Sequence, residues 1–115
     1  METKVTHYYN EADIDDLERR QAILANHLGK NLMNVQLIEE ASELIKALTK
    51  IYRAENGGFV SAPEDILMGN LIEEIGDVQS CINNIMILYN ISEDEIYADR
   101  DAKLRRAFAR YNIED

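Results

Sequence analysis

Cysteine, proline and tryptophan are nearly or wholly missing from this chain. One cysteine, Cys81, stands in 115 residues, which rules out an internal disulfide and makes a reducing, cytoplasmic setting the expectation. There is one proline, with five glycines and no tryptophan, so little interrupts long helices. Uncharged apolar runs never approach the roughly 20 residues of a membrane span. The opening stretch METKVTHYYNEADIDD has no apolar core or small-residue cleavage site, so export and membrane insertion are not expected. Bases are also short: twelve against twenty-two acids, a net charge of -10, which repels nucleic-acid backbones and argues against a DNA or RNA partner.

What remains is apolar and acidic, arranged with a three-four period rather than alternation, the pattern of an all-α protein. A chain of this length makes one domain, 1 to 115. The first helix is expected from about Asp13 to Leu28, stopped by Gly29, with Ile14, Leu17, Ala22, Ile23, Leu24 and Leu28 apolar. A second is expected from about Leu32 to Arg53, ending before Glu55-Asn56-Gly57-Gly58. Ser61 and Glu64 read as a capping box opening the third, which reaches Tyr89 with Gly69 as a point where it can break. Ser92 and Glu95 repeat the box and open the fourth, toward Tyr111. Short connections between four helices imply an antiparallel bundle. From Arg100 to Arg110 the fourth carries Arg100, Lys103, Arg105, Arg106 and Arg110 against Asp101 alone, a basic patch in an acidic chain that also complements a helix C-terminus.

One element is written twice: LIEEASEL, 37 to 44, and LIEEIGDV, 71 to 78. Acids three apart carry no weight in themselves, because 22 acids in 115 positions yield about four such pairs by chance, and four occur. Phase is more informative. At about 100° per residue, with Leu37 set to zero, Leu37, Ala41, Leu44, Leu48 and Ile51 cluster within about 40°, while Glu40 falls near -60° and Glu43 near -120°. With Leu71 at zero, Leu71, Ile75, Val78, Ile82 and Ile85 form the same stripe, and Glu74 and Asp77 take the same two angles. Glu39 and Glu73 lie farther toward solvent.

If the two helices pack antiparallel, the equivalent edges meet about a pseudo-twofold axis and four carboxylates converge. Such groups beside a buried seam repel strongly unless something positive meets them. Oxygen-only ligands point to Mg²⁺, with Mn²⁺ as substitute. A di-iron carboxylate site would need Glu-x-x-His, and neither His7 nor His27 follows a Glu by three. The plainer alternative is a solvated acidic face paired with Lys46 and Lys50.

Glu39-Glu40-Ala41-Ser42-Glu43 followed by Glu74-Ile75-Gly76-Asp77 resembles the EExxE and ExxD motifs of the MazG-like all-α nucleoside triphosphate pyrophosphohydrolases, over about Asn31 to Tyr111. The resemblance implies hydrolysis of a nucleoside triphosphate, ribo or deoxy, to the monophosphate and pyrophosphate, with Mg²⁺ on Glu40, Glu43, Glu74 and Asp77, and Glu39 as a supporting or water-orienting acid. It also implies a lysine in the last helix, which Lys103 matches. The next cation or amide of the family pattern is Ala107 here, leaving Arg106 or Arg110 as substitutes. A homodimer or dimer of dimers is implied as well, in keeping with the apolar circumference of 82 to 89. Asn84, two turns beyond Asp77, is a candidate contact to base or sugar. Tyr52, Phe59 and Tyr89 are candidates to stack on a base or simply to pack, and Tyr8 and Tyr9 to form an N-terminal arm. The alternatives are the phosphoribosyl-ATP pyrophosphohydrolase of histidine synthesis, similar in fold and metal chemistry, and a non-enzymatic acidic helical module that binds partners or senses nucleotides.

Overall fold

A computed structural model describes residues 7 to 115. Its described residues form four α-helices and no strand: α1 Glu11–Leu28, α2 Lys30–Glu55, α3 Glu64–Leu88 and α4 Glu93–Arg110. None is long and apolar enough to cross a membrane.

The helix ends follow local chemistry. Asn10 caps α1, accepting from the Asp13 amide while the Asp13 carboxylate accepts from the Asn10 amide, so the acidic start expected at Asp13 is the far half of a box that begins at Asn10. Gly29 alone separates α1 from α2, with φ 87° and ψ 170°, a conformation open mainly to glycine. Ser92 and Glu95 form the expected reciprocal box at α4. Ser61 does not cap α3: Pro63 occupies the cap position, which has no side-chain hydrogen bond, and Ser61 lies two residues outside it. Gly69 and Gly76 leave α3 unbroken.

Residue pairings give the direction of packing. Met33 meets Asn84, Glu40 meets Asp77 and Glu74, Ala47 shares a cleft with Asn70 and Leu67, and Ile51 shares one with Leu67 and Met68. Numbers rise on α2 as they fall on α3, so the two helices run antiparallel. Helix α1 packs mainly on α3 and only lightly on α2.

The fully buried line of the seam lies to one side of the leucine-isoleucine stripe. The buried residues of α2 and α3 include Met33, Ala47, Leu67, Cys81 and Asn84. On the wheels defined above, Met33 and Leu67 fall near -40° and Ala47 and Cys81 near -80°, the same sector as Glu40 and Glu74. The helices therefore meet through their small and acidic flank. Small side chains there let the rods approach, and the bulky stripe borders the seam with Leu37, Leu44, Ile51, Leu71, Val78 and Ile85 half-buried; Leu48, Ile75 and Ile82 are exposed, and beyond the stripe Ile38 and Ile45 are 70% and 65% exposed. In α1 only Ala25 is fully buried, while Ile14, Leu17, Ile23, Leu24 and Leu28 face outward.

Three helices make the bundle, not four. Among the described residues α4 packs against none of the others and buries no residue. Its apolar side is interrupted at Arg100 and Lys103, which leaves too little continuous apolar surface to dock on α1 to α3.

Candidate metal centre

The duplicated motif places its acids in the α2–α3 seam. Glu40, Glu74 and Asp77 each present a carboxylate oxygen, and these three lie within 4.8 Å of one another. Both Glu40 and Glu74 are half-buried. Glu74 Oε2 is buried and has no hydrogen-bond partner among the described residues, a condition that costs free energy unless a proton or cation meets it.

The electrostatics agree with the distances. Burial raises the Glu40 carboxyl above its ordinary value, a hydrogen bond with Glu74 raises it further, and the charges of Asp77 and Glu74 act the same way. Cys81, one turn beyond Asp77, has its thiol pushed up first by burial and then by Glu40 and Asp77. It stays protonated at neutral pH and contributes bulk rather than a thiolate.

Glu43 belongs to the same cleft but not to the cluster. It lines a small cavity of about 90 Å³ with Glu74, Asn70, Lys46 and Lys50, and its carboxylate turns to Lys46 Nζ at 3.3 Å. That pair is half or more exposed on both sides, so it is weak and readily opened. Glu39 is exposed on the outer side of α2.

A hard cation fits the three converging carboxylates. The donors are all oxygen, as Mg²⁺ and Mn²⁺ require. Mg²⁺–oxygen distances near 2.1 Å set ligand oxygens about 3 to 4.2 Å apart, and the three oxygens here all lie within 4.8 Å of one another. The orphaned Glu74 oxygen would gain a partner from such an ion. A cation there would compete with the proton that the Glu40 carboxyl holds more tightly than an ordinary glutamate does.

The remaining sequence candidates sit elsewhere. Asn84 is 3% exposed, with Gln21 donating to its carbonyl and its amide directed to Met33 Sδ. It ties α1, α2 and α3 together from inside the core instead of facing a ligand. Lys103 pairs with Asp99 at 2.9 Å on α4, and Arg106 and Arg110 are exposed on the same helix. Because α4 stands apart, none of the three meets the carboxylates within one chain. Tyr89 accepts from Asn34 at 2.8 Å beneath Lys30 Nζ, whereas Tyr52, Phe59, Tyr8 and Tyr9 are exposed. Lys46, Lys50 and Asn70 line the cleft, a role that sequence reasoning did not assign them; their placement on the flank of Glu43 and Glu74 was the available signal. Comparison of the chain with family profiles, curated proteins and solved structures finds no match.

Proposed function

We propose that this protein is a MazG-like, Mg²⁺-dependent pyrophosphohydrolase of nucleoside triphosphates. The carrying observation is the convergence of Glu40, Glu74 and Asp77 from two antiparallel helices, with one oxygen of Glu74 buried and unpaired. Carboxylates that repel this strongly in a shared seam are a poor structural element and a good cation cradle.

Glu40, Glu74 and Asp77 would hold the ion, with Glu43 joining them as its link to Lys46 opens. When bound, Mg²⁺ neutralises phosphate charge and lowers the pKa of a coordinated water. The chain's own task is to orient the triphosphate and to take a proton. A water oxygen bonds to the α-phosphorus, the bond from that phosphorus to the αβ-bridging oxygen breaks, and its electron pair leaves with pyrophosphate. The water's proton passes to an acid on the open rim of α2, Glu39 or Glu43. A second copy of the chain completes the protomer. The surface of 9290 Å² exceeds the roughly 6400 Å² of a compact monomer of 13.2 kDa by far more than the about 800 Å² per partner that a stable interface covers. The exposed face of Ile38, Ile45 and Ile72 and the undocked α4 are the surfaces it would cover, and a partner's α4 is the route by which Lys103, Arg106 and Arg110 reach the cleft.

The test is a panel of ribo- and deoxynucleoside triphosphates together with phosphoribosyl-ATP, with pyrophosphate and the monophosphate product measured with Mg²⁺ and with chelator. Metal-dependent release of pyrophosphate from a nucleoside triphosphate is expected. Turnover of phosphoribosyl-ATP alone would move the protein to histidine synthesis. Binding of Mg²⁺ with no turnover of any triphosphate would make it a sensor or interaction module.

A further inference from the structure

The cleft beside the carboxylates is not uniformly acidic. Walking along α2 toward the α2–α3 connection, Glu40 and Glu43 give way to Lys46 and Lys50, and α3 brings Asn70 opposite them. An α-helix rises about 1.5 Å per residue, so Lys46 and Lys50 stand about 9 and 15 Å beyond Glu40 along the axis. A triphosphate chain met by flexible lysine side chains spans that interval. Both lysines share the flank of Glu43, near 180° and -140° on the α2 wheel.

Their present partners are weak. Lys46 holds Glu43 only through the exposed 3.3 Å contact, and Lys50 makes no ion pair among the described residues. Among the described residues no other cation lines this cleft. An acidic seam that must accept a polyanion needs positive charge beyond the metal itself, and in one chain these two side chains supply it where α4 does not.

Resting on the pyrophosphohydrolase reading, we infer that Lys46 and Lys50, with the Asn70 amide, hold the two outer phosphates of the substrate, the part that departs as pyrophosphate. The basic residues of α4 are then secondary contributors from another chain. The lysine ammonium groups neutralise charge that builds on the leaving pyrophosphate as the αβ bridge breaks. Release of Lys46 from Glu43 couples substrate entry to the freeing of the fourth carboxylate.

The experiment is calorimetric titration of Mg²⁺-pyrophosphate, and separately of Mn²⁺ alone, into wild type, Lys46→Gln/Lys50→Gln and Lys46→Arg/Lys50→Arg. Exposed positions leave folding intact, which circular dichroism verifies. Pyrophosphate affinity is expected to fall about tenfold or more in the glutamine pair and to return in the arginine pair, while Mn²⁺ binding stays equal or tightens. Wild-type pyrophosphate affinity in the glutamine pair overturns the inference, as does failure of the wild type to bind Mg²⁺-pyrophosphate. Wild-type turnover of nucleotides, measured in parallel, tests the hydrolase reading on its own: turnover with undiminished pyrophosphate affinity in the glutamine pair removes the lysines and keeps the enzyme.

Discussion

Glu74 has a carboxylate oxygen that finds neither donor nor water-facing surface, and its replacement separates chemistry from folding. Glu74→Gln is expected to lower turnover by at least about 100-fold, as loss of a metal ligand does, while the melting temperature in chelator holds or rises because repulsion with Glu40 and Asp77 is relieved. Unchanged turnover would reject the site. Glu40 makes a pH prediction. Its folded value lies above the ordinary 4.5, so its contribution to stability is complete below that value and is lost as pH rises through the raised folded value. The Glu40 contribution to thermal stability in chelator should therefore decline as pH climbs above about 4.5. Glu40→Gln should flatten that slope, and added Mn²⁺ should restore stability at the higher pH. The rim acids divide by metal binding: loss of activity with Mn²⁺ affinity kept, in Glu39→Gln or Glu43→Gln, identifies the proton acceptor.

At the scale of helices, the repeated phase made the paired acids legible before any coordinates, because a side chain's angle on a rod depends only on its position in the sequence. Capping boxes made the start of α4 legible for the same reason, and Asn10 carried a like signal in front of Asp13. The rotation of the seam was not legible. Periodicity finds the oiliest side of each rod, yet α2 and α3 meet through Ala47, Cys81 and the acids, and that choice depends on which partner covers the remaining stripe. Asn84 was legible only in part: the wheel gave its angle, but only the arrival of Gln21 from α1 and Met33 from α2 makes that angle interior. For α4, the box is its main anchorage. The backbone amide and hydroxyl of Ser92 hold the Glu95 carboxylate below its ordinary value, so this support exists above about 4.5 and disappears as pH falls through the lowered folded value. Ser92→Ala should cost about 1 kcal/mol of local helix stability, read as faster amide exchange across the first turns of α4 with the bundle unaffected.

Taken whole, the protein is too open for its mass. Its radius of gyration is 17.4 Å, against about 13 Å for a compact domain of this length, in keeping with an α4 that packs on no other helix among the described residues. Sedimentation equilibrium should give a dimer or a multiple of it. Ile38→Lys/Ile45→Lys should shift it toward monomer with retained helicity, since neither side chain contributes to the internal seam. A monomeric wild type would leave that face without its proposed cover.

The single-residue joint at Gly29 sets how the first rod is carried by the second. A Cβ built there meets no atom within 4 Å, so what excludes other amino acids is torsion and not crowding. Handedness follows from that. An alanine of ordinary chirality should bend the joint, whereas D-alanine installed by chemical ligation finds φ 87° and ψ 170° in its own relaxed extended region and should stiffen the unfolded chain enough to raise the melting point above that of the natural sequence.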